Sequence, residues 1–269
     1  QTLVERMADA VRQMLENAGM TLEQCGGIGI GSPGTIDAKQ GVILYSNNFG
    51  WENVPIVEEL KKHLDTRIEI ANDADAAALG EVCAGAAEGA ENAVLLTLGT
   101  GVGSGVILDK KIFRGAMPGG CELGHLSIRY DGIRCTCGRK GCLEAYASAS
   151  ALLRIAREKA AEHPESIMNE MCGNDLEQMN GKIPFDAAKA GDEAGMETVK
   201  EYEGYLACGI ANVINTFRPE KVILGGGVAA QKDNLTAPLK DLVKDMCFGG
   251  SHGHIADIVT SVLGNDAGV

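Results

Sequence analysis

The chain has 269 residues, 45% of them hydrophobic, with 24 Lys and Arg against 37 Asp and Glu and a formal net charge of -13. That acidic balance argues against binding nucleic acid or an anionic membrane through bulk electrostatics, and the apolar content is too high for disorder. The 36 glycines follow no three-residue period, and no apolar run approaches the roughly 18 residues of a membrane span.

Leu3, Val4, Met7, Val11, Met14 and Leu15 recur at helical spacing, and Asn17-Ala18-Gly19 ends that helix. The polar Gln1 to Glu5 lead into it and do not read as a signal peptide. Gly26 to Ile30 reads as a buried strand stopped by Gly31-Ser32-Pro33-Gly34, and Gly41 to Tyr45 as a second strand. Ile56, Val57, Leu60 and Leu64 mark another amphipathic helix. Arg67 to Ala71 reads as a strand ending in Asn72-Asp73-Ala74-Asp75, followed by a small-residue helix from Ala76 to Ala84.

The pattern then restarts. Ala93 to Leu98 reads as a strand closed by Gly99-Thr100-Gly101-Val102-Gly103. Gly105 to Leu108 returns through the turn Asp109-Lys110, and Ile112-Phe113 continues the meander. A loop rich in Gly, Cys and charge follows to Gly141, and Leu143 to Glu162 reads as one long helix. Residues 163–191 are polar and irregular, with the signature of short surface helices. Ala194 to Phe217 reads as a helix, Lys221 to Leu224 as a strand running into Gly225-Gly226-Gly227, Leu235 to Met246 as a helix, and Ile255 to Leu263 as a last strand. Strands ending in glycine-rich turns and alternating with helices indicate an α/β class. The restart near residue 76 divides the chain into two blocks with a cleft between them.

The strongest chemical signal is His125, Cys135, Cys137 and Cys142. One imidazole and three thiolates so close in sequence suit tetrahedral Zn2+, and four protein ligands leave no position for water, so the metal is expected to be structural. Nine cysteines, an odd number, in a chain too large to need disulfide staples fit a reducing compartment, with the cytoplasm as the default.

Thr97 to Gly103 reads either as a plain β-turn or as a glycine turn whose free N–H groups converge on a phosphate. Gly225-Gly226-Gly227 is a second strand-to-glycine junction, suited to the flat face of a nucleoside. No Gly-Lys-Ser/Thr tripeptide exists, so there is no Walker loop. Gly29, Gly31 and Gly34 match Rossmann spacing, but Pro33 and the strand pattern after them leave no helix to hold a pyrophosphate.

Asn72-Asp73, at the end of a strand, places an amide and a carboxylate where open α/β sheets bind ligands. Asp75 fits the capping of the following helix, which leaves Asp73 for proton transfer. Glu122 and Glu144 lie beside the metal loop and suit a polyhydroxyl ligand. His63 and His163 read as surface residues, Ser251-His252-Gly253-His254 as a loop, and Trp51 as packing.

In this order the stretches Gly31-Ser32-Pro33-Gly34, Asn48-Phe49-Gly50-Trp51, Asn72-Asp73, Thr97 to Gly105, Glu122-x-x-His125, Cys135-x-Cys137-Gly138-x-x-Gly141-Cys142-x-Glu144 and Leu224 to Gly227 resemble the ROK family of sugar kinases and repressors. The resemblance spans nearly the whole chain and is greatest to the bacterial glucokinases of that family. It implies an actin-like, ribonuclease H-like two-lobed ATPase fold. Residues 1–76 would form the small lobe, and residues 77–269 the large lobe, with the zinc loop at 115–144. Asp73 would be the catalytic base toward the 6-hydroxyl of glucose or a related hexose. Gly34, Asn48, Asn72, Glu122, His125 and Glu144 would bind the sugar, with His125 also on zinc. Thr100, Gly101 and Gly226 would bind ATP, supplied with Mg2+.

The family opens with a strand and an Asp-x-Gly-Gly-Thr phosphate turn, which Gln1 follows here without either. The chain therefore reads as trimmed at both ends, so this fragment itself is expected to be a poor catalyst. The resemblance also implies a homodimer, while the acidic balance leads to no nucleic-acid or membrane partner being expected. The alternative it carries is a sugar-sensing transcriptional repressor whose DNA-binding segment lies outside this chain.

Overall fold

In the computed structural model, which describes residues 2–46, 49–253 and 255–268, the chain begins with α1 (Leu3–Ala18). Thr2 and Glu5 cap that helix reciprocally, and Gly19 closes it at φ 64°. Then follow β1 (Ile28–Ser32), β2 (Thr35–Asp37), β3 (Val42–Ser46), β4 (Trp51–Val54), α2 (Ile56–Lys61) and β5 (Ile68–Asn72). β1 and β5 pair in parallel from Ile28 opposite Ile68 to Ser32 opposite Asn72, while β2, β3 and β4 form an antiparallel meander. Gly31 and Ser32, expected as a turn, continue the first strand because β5 supplies their pairing. The short strands β2 and β4 were not expected, since three or four residues carry little period-2 signal. As expected, strand rather than helix follows Gly34.

One apolar cluster joins these elements: Ala8 of α1 and Ile56 and Leu60 of α2 close over Ile36, Ile43, Ile68 and Ile70. Trp51 packs partly buried against it, its ring centroid 5.0 Å from that of Phe49.

α3 (Asp73–Ala84) leaves β5 without a loop and crosses onto a second sheet. That sheet contains β6 (Ala93–Leu98), β7 (Val102–Leu108) and β8 (Lys111–Ile112). Helices α4 (Glu144–Ala147), α5 (Ala149–Glu162), α6 (Ile167–Met171), α7 (Ile183–Lys189) and α8 (Glu193–Phe217) come next. β9 (Lys221–Gly225), α9 (Asp233–Met246) and β10 (Asp257–Thr260) complete the fold. The sheet order is β10-β9-β6-β7-β8, with β10, β9 and β6 parallel and β7 and β8 antiparallel.

Alternate side chains of these strands serve opposite faces. Val94, Leu96, Val222 and Leu224 pack with Leu206, Ile210 and Ile214 of α8, whereas Leu95, Ile107 and Ile223 pack with Ala78 and Val82 of α3. Full burial of a Leu, Ile or Val side chain contributes about 1.5–3 kcal/mol, so both helix layers are firmly held. α3 lies so close to β7 that a Cβ on Gly105 would sit 2.4 Å from Ala74 O.

Three expectations need correction. The single helix from Leu143 to Glu162 is broken at Ser148, which is extended (φ -72°, ψ 166°) and caps α5 by accepting from Ala151 N–H. The break occurs where the Ala149 N–H turns to donate to Gly99 O at 2.8 Å. Residues 163–191 are not merely surface: Met168, Cys172, Met179 and Ile183 form a buried cluster with Ala156 and Ala160 of α5. The last strand is shorter than expected, because residues after Thr260 turn toward α3 and are held by Glu81. Among the described residues, no helix is long and apolar enough to cross a membrane.

Candidate active site and metal centre

The end of β5 and the start of α3 place Asn72, Asp73 and Asp75 within one turn. Asn72, not Asp75, is the helix cap: its Oδ1 accepts from Ala74 N–H at 2.9 Å and from Asp75 N–H at 3.3 Å. Its Nδ2 donates to Gly34 O at 3.2 Å, which ties the first glycine turn to this junction. Gly34 has φ 111°, and a Cβ there would lie 2.2 Å from Tyr45 O, so only glycine fits. Asp73 is exposed, with Oδ1 accepting from Ala74 N–H. Asp75 turns inward and is buried. Burial pushes its carboxyl up to about 6; Arg114 opposes that shift, and the charges of Glu122 and Asp73 reinforce it.

Asn72, Asp73, Asp75, Gly103, Ser104 and Glu122 line one cavity of about 50 Å³. It joins the strand–helix junction to residues far along the chain. The Glu122 carboxyl is held above the ordinary carboxylate range, first by burial and further by Glu144 and Asp73, against the opposing influence of His125.

The glycine turn at the end of β6 is more than a reversal of direction. Among the described residues, the N–H groups of Thr100 and Gly101 have no protein acceptor, whereas Val102 N–H donates to Glu144 Oε2 at 3.0 Å. Ser150 Oγ, in the first turn of α5, donates to Thr100 O and fixes the loop. Two free backbone donors at a strand end suit an anion. Glu144 binds the turn to the metal loop, since its Oε1 accepts from Thr136 Oγ1 at 2.9 Å and lies 3.4 Å from Cys135 Sγ. Both oxygens of this residue, expected to face sugar, thus also serve the protein frame.

His125, Cys135, Cys137 and Cys142 converge, their ligand atoms all within 4.8 Å of one another. Cys137 Sγ and Cys142 Sγ are 3.6 Å apart, and His125 Nδ1 is 3.7 Å from Cys135 Sγ. Tetrahedral zinc with bonds of about 2.3 Å requires sulfur–sulfur separations of about 3.8 Å, so these two separations are close to what the ion needs. Nδ1 faces the thiols, which leaves Nε2 for another partner.

Gly226 is also brought to the site. Thr97 pairs with Gly225, and a Cβ on Gly226 would lie 2.5 Å from Leu98 O, so the two glycine turns abut at the ends of parallel strands. Beside them is a cavity of about 460 Å³, lined by Ala149, Lys182, Asp186, Gly227, Gln231 and Asn234 among others. The sequence reading missed the polar members of this wall, which carry no motif and are assembled from α7, α9 and the turn after β9. It also missed Ser104, whose Oγ accepts from Leu123 N–H and so fixes the segment carrying Glu122 and His125. A broader depression of about 550 Å³, between Lys159 of α5 and Tyr205 of α8, shares no residue with either cavity. Asn48 and His254 lie outside the described residues. His163 pairs with Glu165 at the surface, as its sequence context suggested.

The model of the ROK family matches residues 1–269. A glucokinase of Thermotoga maritima is 37% identical over 268 residues, which cover 99% of this chain and 82% of that relative. The crystal structure of a ROK family glucokinase from Streptomyces griseus in complex with glucose and AMPPNP superposes with a TM-score of 0.83. It is 30% identical, with 98% of this chain and 85% of that one covered. A xylose repressor of Caldicellulosiruptor bescii is 30% identical over 246 residues, 91% of this chain and 61% of the repressor.

Proposed function

The chain belongs to the ROK family, and from that premise we propose that it is an ATP-dependent hexose kinase, phosphorylating glucose or a related hexose at the 6-hydroxyl. It has the actin-like, ribonuclease H-like two-lobed ATPase fold of the kinases it superposes on. The observation that carries the reading is the shared cavity: Asp73 and Glu122 face one space beside Gly103, which directly follows the turn with free N–H donors.

In this reading Asp73 is the catalytic base. A sugar hydroxyl is too weak an acid to lose its proton in advance, so the carboxylate orients the oxygen for in-line attack and accepts the proton late. Glu122 and the free ring nitrogen of His125 bind ring hydroxyls. Gly34, Asn72 and Glu144, whose polar atoms also hold the frame, shape the rest of the wall, and Asn48 belongs to the same proposed set. Thr100 and Gly101 donate backbone N–H groups to the transferred phosphates, and Gly226 opens the way for the nucleoside into the larger cavity. Mg2+, supplied with ATP, would neutralise the charge that develops on the transferred phosphate.

His125, Cys135, Cys137 and Cys142 would hold zinc, which would supply a cross-link that fixes the orientation of His125. Nine unpaired thiols support a reducing compartment, the cytoplasm. A homodimer is part of the proposal, and light scattering of the purified protein tests it.

The decisive experiment is a coupled ADP-release assay on the protein as its gene encodes it, across a hexose panel, with Asp73→Asn as the control. Hexose-dependent ADP release is expected, and its absence at saturating ATP would overturn the kinase assignment. Similarity to the xylose repressor supports the second reading, a sugar-sensing repressor. Sugar binding without ATP turnover would favour it.

A further inference from the structure

Residues Arg114 to Gly120 form a strap along the Asp73 cavity. Its ends are pinned to β7: Phe113 N–H donates to Val106 O at 2.7 Å, and Ser104 Oγ donates to Cys121 O. Among the described residues, no hydrogen bond holds residues 114–120 between those ends. The polar tie is a charge pair, with Arg114 Nε 3.9 Å from Asp75 Oδ2. The Asp75 side chain is 5% exposed, whereas that of Arg114, at 43%, reaches in from solvent.

Gly119 and Gly120 at the end of the strap line the cavity together with Asp73 and Glu122. A Cβ on Gly120 would lie 3.6 Å from Asp75 Oδ2, and one on Gly119 would lie 3.2 Å from Thr35 Cγ2. The strap therefore touches both α3 and the β2–β4 meander. The strap thus forms part of the wall of this cavity, opposite Asp73, and its position sets how wide the cavity is.

We propose that the Asp75–Arg114 ion pair latches the strap against α3, which makes Asp75 a positioning residue for hexose binding. The proposal rests on the hexose-kinase reading. A buried carboxylate without a cation is costly, and Arg114 is the cation that Asp75 faces. The other titratable groups around it are Asp73, Glu122 and Cys121, none of which stabilises a second negative charge. The Asp75 carboxyl, raised to about 6 by burial, gains a proton as pH falls through that value. The pair is then lost and the strap is released. Hexose KM should accordingly rise between pH 7 and pH 5.5.

Two variants test this. Asp75→Asn keeps the shape and removes the charge, and Arg114→Met does the same on an exposed side chain whose loss does not threaten folding. In both, chymotryptic cleavage within residues 113–121 of the ligand-free protein should be about fivefold faster or more. Hexose KM should rise about tenfold while kcat changes less than about threefold, and the double variant should be no worse than either single one. The rise in KM at low pH should be smaller in Asp75→Asn than in the parent. If cleavage and KM of Arg114→Met stay within about twofold of the parent, the latch is overturned. Absence of hexose-dependent ATP consumption in the protein as its gene encodes it would instead sink the kinase reading, and the proteolysis comparison would still decide the latch.

Discussion

The Cys3His loop and the β5–α3 junction contribute facing walls of one cavity, and the proposed zinc would give their order different origins. Between residues 115 and 144, Met117, Tyr130 and Ile133 are exposed, and four ligand atoms gather where an apolar core would otherwise be needed. At the junction, the strand passes directly into a helix whose Ala74 and Ala78 are buried against β7, and an Asn72 cap closes the turn. Order that depends on one ion can be removed by chemistry alone. Order that depends on packing and backbone pairing is distributed over many small terms.

The comparison is most sharply tested at the metal. Apparent zinc-binding free energies of order 10 kcal/mol are available to order such a loop. Cys142→Ser should therefore abolish stoichiometric zinc in elemental analysis and reduce hexose turnover to background, while far-UV circular dichroism stays close to that of the parent. Retained zinc with normal turnover would mean that the loop is held in some other way.

At the junction, Asp73→Asn should leave sugar affinity within several-fold and the melting temperature unchanged, but lower kcat by at least about a hundredfold, as for a lost general base. Near-normal turnover would remove Asp73 from that role. A smaller effect is expected where the two regions meet through Glu144. A Cβ on Gly101 would lie 2.4 Å from Glu144 Oε2, so Gly101→Ala pushes the glycine turn away from the metal loop. ATP KM should rise about tenfold with zinc retained, because phosphate donors would be displaced without loss of a metal ligand.

The smallest effect lies outside both regions and provides a baseline. Glu203 of α8 is buried, its Oε1 has no partner among the described residues, and burial pushes its carboxyl from an ordinary 4.5 to about 7. Its pKa is raised on folding, so the native state binds a proton that the unfolded state has released. Stability should fall as pH rises from the unfolded pKa to the folded one, then level off. Glu203→Gln should raise the melting temperature by about a few degrees at pH 8 and by less toward pH 4.5. Scanning calorimetry at several pH values checks this, and a gain independent of pH would refute the cause.

Much of the site was legible because its chemistry uses unusual residue types at short spacing. The Cys3His set, Asn72-Asp73 and the glycine turns could each be found without coordinates. Asp75 shows where that reading failed. By residue type it is as good a helix cap as Asn72, and only packing decides which of the two side chains turns toward the helix end and which is buried beside Arg114. Ser148 shows the same for secondary structure. The helical periodicity continues through it, but a hydrogen bond from Ala149 to Gly99, a residue distant in sequence, breaks the helix.

By itself the sequence determined the α/β class, most of the longer elements, and which side chains have the chemistry to bind a metal, donate to a phosphate or accept a proton. These properties belong to residue type and local period. Tertiary structure alone decided that Glu144 joins the glycine turn to the Cys3His loop, that a cavity of about 460 Å³ is assembled from α7, α9 and the turn after β9, and that Asp75 meets a strap from beyond β8. Each of these is a contact between segments far apart in the chain. Their proximity is set by the register of β6 with β9 and the seating of α3 on β7, which no local signal encodes.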